Sequence, residues 1–145
     1  MKIIVTGNCG FIGYHVALSL LKKNHTVIGI DNINDYYSTK IKKGRLLNLK
    51  KFKKFIFFKI NISNKDKLNK VFNKYKPNKV IHLAAQAGVA YSKINPDRYI
   101  NSNIIGFYNI LINCKKFNVK RIIYASSSSV YGDSKTLPVK ENFEL

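Results

Sequence analysis

An apolar run, Ile3-Ile4-Val5, leads into Thr6-Gly7-Asn8-Cys9-Gly10-Phe11-Ile12-Gly13, and an amphipathic helix pattern follows as far as Lys23. Strand, glycine-spaced loop and helix in that order make a pyrophosphate loop. Gly7 turns the chain sharply out of the strand, Gly10 leaves room for backbone N–H groups to approach phosphate oxygens, and Gly13 allows close packing of the helix. The helix start then presents unpaired N–H groups and the positive end of its dipole to a dianion, with no cationic side chain needed. Glycine triplets also occur in plain turns, so the context carries the argument.

A second apolar run, Val27-Ile28-Gly29-Ile30, ends in Asp31 about 20 residues after the loop, the distance at which a dinucleotide fold places its ribose-binding carboxylate. An acid there accepts hydrogen bonds from the adenosine ribose and repels the extra phosphate of NADP, which favours NAD. The competing structural role is that of a cap for a helix starting near Asn34.

The rest of the chain repeats the alternation. A helical patch spans Ile41 to Leu49, and Phe55-Ile56-Phe57-Phe58 reads as a third strand. Leu68, Val71, Phe72 and Tyr75 recur at helical spacing within Asn64 to Tyr75, which Pro77 ends. Val80 to Leu83 is a fourth strand, a long helix runs from Pro96 to about Phe117, and Arg121 to Ala125 is a fifth strand. Near-continuous apolar strands separated by helices predict a Rossmann-type, doubly wound parallel α/β sheet with order 3-2-1-4-5. Ligands bind such sheets beyond the carboxyl ends of the strands, at the switch point between the first and fourth. There the chain places the small residues Ala84-Ala85-Gln86-Ala87-Gly88 and the hydroxyls of Ser126 to Ser129.

Composition narrows the functional classes. With 145 residues, 46% of them hydrophobic, the chain is long enough for one domain with a real core. It carries no charged-then-apolar leader and no apolar stretch long enough to span a bilayer, which reads as cytoplasmic. The net charge of +19 comes from 26 Lys and Arg against 7 Asp and Glu. These cations are nearly all lysine and are scattered, whereas a nucleic-acid binder clusters them and uses arginine forks, so the charge argues against a nucleic-acid partner. Two cysteines, Cys9 and Cys114, make neither a disulfide framework nor a zinc cluster. Cys9 is either a small space-filling residue or a thiol acidified by the helix dipole. His15, His25 and His82 lack metal-ligand spacing and read as structural.

Taken together, the stretches Val5 to Gly13, Gly29 to Asn32 with Asn34 to Tyr37, His82 to Val89 with Tyr91-Ser92, and Tyr124 to Gly132 make the chain resemble an extended short-chain dehydrogenase/reductase. Within that group it is most similar to the UDP-glucuronate 4-epimerase branch of the nucleotide-sugar epimerases. The resemblance implies a tightly held NAD that takes hydride from C4 of a UDP-sugar and returns it to the opposite face of the ketone. It implies that Ser127 hydrogen-bonds the reacting sugar hydroxyl, with Ser128 and Ser129 lining the sugar site. A serine cluster can equally be a polar loop satisfying its own backbone. The resemblance also implies that Gly7, Gly10, Phe11, Ile12 and Gly13 belong to the pyrophosphate loop, that Asp31 binds the ribose, that Asn61 stands at the adenine contact, and that Asn32 and Ile62 are further cofactor-binding residues. It further implies that Ala84, Ala85 and Gln86 border the cofactor and that Asn103 lies near the nicotinamide side. Asn61 stands where relatives usually have Asp, and Ala90 where uronate epimerases commonly carry Arg.

The same resemblance implies a catalytic Tyr-x-x-x-Lys helix and a substrate-binding region further along than Leu145. Residues 1–145 are therefore expected to be an NAD-binding domain without its catalytic base, an N-terminal fragment of a homodimeric enzyme, inactive by itself and with an open fifth-strand edge. Tyr36 with Lys40, Tyr75 with Lys79 and Tyr131 with Lys135 match the Tyr–Lys spacing, but 9 tyrosines among so many lysines produce such pairs by chance. The first two pairs are expected outside the cleft. A 4,6-dehydratase would need an acid and a base, commonly Asp-Glu, where this chain has Ser128 and Ser129. A non-catalytic NAD-binding module would keep the glycines and Asp31 alone.

Overall fold

A computed structural model describes residues 1–133 and 138–142. Five parallel strands lie in the order β3-β2-β1-β4-β5, as the alternation predicts. They are β1 (Lys2–Thr6), β2 (Thr26–Asp31), β3 (Phe55–Lys59), β4 (Lys79–His82) and β5 (Arg121–Tyr124). The helices are α1 (Phe11–Lys22), α2 (Thr39–Lys50), α3 (Lys65–Tyr75), α4 (Val89–Ser92), α5 (Pro96–Tyr99) and α6 (Phe107–Lys116).

Strand periodicity sorts the apolar side chains onto two faces. Ile4, Ile28, Ile30 and Val80 point to one side and pack with Leu68, Val71 and Phe72 of α3 and Ile110 of α6. Ile3, Val5 and Val27 point to the other and pack with Ala17 and Leu21 of α1 and Leu49 of α2. Both faces of the inner strands are thus covered, which is why their sequences read as unbroken apolar runs. The β5 edge is different. Ile123 and Tyr124 are 52% and 54% exposed, and among the described residues β5 pairs with β4 alone.

Local signals explain the helix ends. Asn64 caps α3, its Oδ1 accepting from the Lys67 N–H at 2.9 Å, and Lys76 closes the helix in the left-handed region at φ 43° just before Pro77. The long helix expected from Pro96 is present but not uniform. A π-wound segment, Ile100–Gly106, joins α5 to α6. Two short elements were not foreseen: α4, and a single 3-10 turn at Ser128–Tyr131 within what reads as a serine loop. Neither is long enough to carry a periodic apolar pattern.

Candidate functional site

The register β1 to β2 and β1 to β4 sets Thr6 beside both Ile30 and His82, so three strand ends open onto one crevice. Gly7 leaves β1 with φ +72°, and its N–H donates to the Ile30 carbonyl at 2.8 Å. A Cβ on Gly7 would lie 2.7 Å from the Leu83 carbonyl oxygen, so the loop after β4 passes directly against it. Gly13 has a different role from the helix–sheet packing expected of it. A Cβ there would collide with the Gly7 carbonyl oxygen, so Gly13 makes room for the loop's own backbone.

Asp31, 8% exposed, ends β2 and binds the loop: Oδ2 accepts from the Cys9 N–H at 2.9 Å and Oδ1 from the Ile33 N–H at 2.8 Å. It caps no helix, since α2 begins only at Thr39 with Ser38 as its cap. Each oxygen keeps a lone pair for a further donor. From the outside, Tyr37 Oη and Arg45 Nη1 both donate to the Cys9 carbonyl at 3.3 Å. The acidic-thiol alternative for Cys9 is overturned: the side chain is fully buried, and burial, with the Asp31 charge second, pushes its pKa up to about 12.

Two adjoining cavities occupy the crevice. The first, about 320 Å³, is lined by Gly7, Gly10, Asp31, Asn32, Asn61, Ile62, Ala84, Ala85 and Gln86, all expected cofactor residues. Asn34, Tyr36, Tyr37, Ile60, Leu83, Ala87, Ser102 and Lys42 complete its wall and were not foreseen as cofactor neighbours. Tyr36 corrects the expectation that it stands outside the cleft. Its partner by spacing, Lys40, is not on this wall, and Tyr36 precedes α2 rather than sharing a helix with it. Lys135, the third lysine of such a pair, lies outside the described residues.

The second cavity, about 650 Å³, shares Leu83 to Ala87 with the first and adds His82, Gly88, Tyr99, Asn103, Phe107, Tyr124 and Ser126. Ser127 is on its wall too, whereas Ser128 and Ser129 are not. Ser127 Oγ lies 3.1 Å from Ser129 Oγ and accepts from the Ser129 N–H at 3.3 Å, so the turn partly satisfies itself. Phe11 and Ile12 line neither cavity; their side chains are exposed, and they stand in the first turn of α1, where backbone N–H groups have no intrahelical acceptor.

Asparagines of the long helix hold the neighbouring loops in place. Asn103, within the π-wound segment, accepts from the Gln86 N–H at 2.8 Å and donates to the Gln86 carbonyl at 3.0 Å. Asn109 donates to the carbonyls of Ile62 and Ser63 at 3.1 and 3.0 Å. Gly106 admits Ile62 beneath the helix, because a Cβ there would lie 2.6 Å from its Cδ1. One helix thus fixes both the loop after β3 and the loop after β4.

His82 sits under the second cavity, 7% exposed, stacked on Phe107 with centroids 5.3 Å apart. Burial lowers its pKa to about 4. A histidine held neutral in the fold stabilises it fully above the unfolded value near 6.5; that stability is lost as pH falls from 6.5 towards 4. Urea unfolding across that window is expected to lose about 3 kcal/mol from this residue. A His82→Gln variant should flatten that part of the profile, and an unchanged slope would contradict it.

A doubly wound sheet, a glycine loop at its switch point, an acid ending β2 and a serine turn after β5 define an extended short-chain dehydrogenase/reductase. Within that class, the chain belongs to the family described as GDP-mannose 4,6 dehydratase, which matches residues 4–145. Similar relatives include Protein CapI of Staphylococcus aureus, 53% identical over 95% of this chain and 41% of its own length. The UDP-glucuronate 4-epimerase of Thermodesulfobacterium geofontis is 47% identical over 88% of this chain and 40% of its own. Among solved structures, the UDP-glucuronic acid 4-epimerase of Bacillus cereus, in complex with UDP-glucuronic acid and NAD, superposes with a TM-score of 0.87. It is 36% identical, with 99% of this chain and 45% of that one covered. The chain thus spans about two fifths of the length of the curated relatives it matches.

Proposed function

We propose that this chain is the NAD-binding part of a UDP-sugar 4-epimerase, with UDP-glucuronate and UDP-galacturonate as its substrate pair. The observation that carries the reading is the pair of adjoining cavities, one walled by Gly7, Gly10 and Asp31 and the other by Ser127. The relatives named as UDP-glucuronate 4-epimerases and the Bacillus cereus structure support the choice of sugar. Ser128 and Ser129 favour epimerisation over 4,6-dehydration, since neither can act as a carboxylic acid or base.

The residues present fit a dinucleotide. The loop at Gly10 is free of side-chain bulk, and the first turn of α1 has no side-chain cap to compete with a phosphate. NAD, when bound, supplies reversible acceptance of hydride from a sugar carbon. Asp31 orients the adenosine ribose, Asn61 and Ile62 border the adenine, and Ala84, Ala85 and Gln86 allow the cofactor to lie close to β4. Asn103 acts through the Gln86 backbone as a positioning residue. Ser127 carries a hydroxyl that donates to a ketone oxygen and accepts from an alcohol, as C4 chemistry needs.

A cytoplasmic setting and a homodimer of the whole enzyme belong to the same reading. No described helix is long and apolar enough to cross a membrane. Ile100, Ile104, Tyr108 and Leu111 form an exposed apolar stripe along the π-wound segment and α6, which supports helix-to-helix assembly.

Calorimetric titration of the 145-residue chain with NAD tests the proposal. Asp31→Asn keeps the shape of the acid and removes its charge, and is expected to weaken NAD about tenfold through the loss of charge-assisted hydrogen bonds. A folded wild-type chain with no NAD binding, or equal affinity in the variant, would refute the assignment.

A further inference from the structure

Lys42 is the only buried cation among the described residues, 5% exposed, and it lies on the wall of the first cavity beside Asp31. Its Nζ donates to the Asn34 carbonyl at 2.8 Å and to the Asn34 side-chain oxygen, and sits 4.2 Å from the centre of the Tyr37 ring. All of these partners are neutral. Among the described residues, no carboxylate lies within ion-pair distance of it, the one ion pair being Arg98 with Asp35. Burial holds the Lys42 pKa below the usual lysine range, and the Asp31 charge opposes that shift most.

An ammonium buried against neutral groups at a cavity wall is costly unless an anion completes it. Asp31 does not move to pair with it, because both of its oxygens are held by backbone N–H groups of Cys9 and Ile33. Asp31 and Lys42 thus line one cavity as a carboxylate and an ammonium that form no ion pair with each other. The carboxylate selects a ribose diol, and the ammonium attracts a phosphate.

We propose that Lys42 is a specificity-determining residue of the adenosine-ribose subsite: its ammonium offsets the repulsion of a 2′-phosphate by Asp31, so the chain takes NADP as well as NAD, with NAD preferred. This rests on the dinucleotide reading above, and refines the expectation that Asp31 alone sets the preference. Lysine at this place has no signal in a sequence where it is the commonest charged residue.

The test is calorimetric titration of the 145-residue chain with NAD and with NADP, in wild type, Lys42→Met and Lys42→Arg, each checked for folding by circular dichroism. Wild type is expected to bind NADP about tenfold more weakly than NAD, and Lys42→Met to lose about a further tenfold for NADP with less than about threefold change for NAD. Lys42→Arg should retain NADP binding. Equal losses for both cofactors, no loss for either, or a wild type that binds NAD but not NADP would overturn the role of Lys42. A folded wild type that binds neither overturns the dinucleotide reading itself. Should Lys42→Met not fold, Lys42→Gln carries the same comparison.

Discussion

Alanine at Gly13 is expected to destabilise the chain by about 3 kcal/mol, at the upper end of what overpacking costs, and to abolish NAD binding with it. Helix propensity alone points the other way, because Ala within a helix is favoured over Gly by about 1 kcal/mol. Contact decides the sign. The new Cβ would collide with the Gly7 carbonyl oxygen and lie 2.7 Å from its carbonyl carbon and 3.1 Å from the Asn8 Cα, all backbone atoms. Gly7 has little room to retreat, because its N–H is bonded to the Ile30 carbonyl and the Leu83 and Ala84 backbone passes so close that a Cβ on Gly7 would lie within 2.8 Å of it. The only relief is for α1 to move away from the loop, which removes the proposed anion site. Urea unfolding measures the first effect and calorimetry the second; a variant as stable as wild type would show that the loop is more pliant than its contacts imply.

Thr6→Val is the second large effect. The Thr6 hydroxyl accepts from the N–H groups of Leu83 and Ala84, each at 3.1 Å, and lies 2.8 Å from His82 Nδ1. With both acceptor sites in use, its single proton goes to Nδ1, which assigns the neutral ring's proton to Nε2. Valine has the same shape and none of these bonds. Leu83 N–H keeps the Thr6 carbonyl at 3.3 Å, but the Ala84 N–H and His82 Nδ1 lose their partner inside the fold. Two unsatisfied groups at about 1–3 kcal/mol each give an expected loss of about 3 kcal/mol. Thr6→Ser retains the hydroxyl and gives up one buried methyl, and should lose only about 1 kcal/mol. Equal stability of the two variants would mean that the methyl, not the hydroxyl, joins β1 to β4.

The lining of the first cavity was legible because it is written in local spacing. Gly7, Gly10 and Asp31 occupy one cavity wall since a strand, a turn and a strand of fixed rise must bring them there. Asn61, Ile62 and Ala84 to Gln86 follow from their places at the ends of β3 and β4. Thr6, Lys42, Tyr37 and Arg45 were not legible as site residues. Each acts across 28 or more positions, or on a neighbour no motif names: Thr6 on His82, Tyr37 and Arg45 on Cys9, Lys42 on a cavity that exists only once β2 and α2 are in place. Asn103 was foreseen beside the nicotinamide, but its bond to the Gln86 backbone required the π-wound turn that aims it.

Periodicity by itself determined the five parallel strands, their order and the two covered faces, because apolar runs of strand length between amphipathic helices have few other ways to leave water. Tertiary structure alone decided the charges and protons. Cys9 is inert rather than acidic and His82 is neutral, both through desolvation, and the same effect holds the Lys42 pKa below the usual lysine range; desolvation depends on what surrounds a group in space and not on its neighbours in the chain.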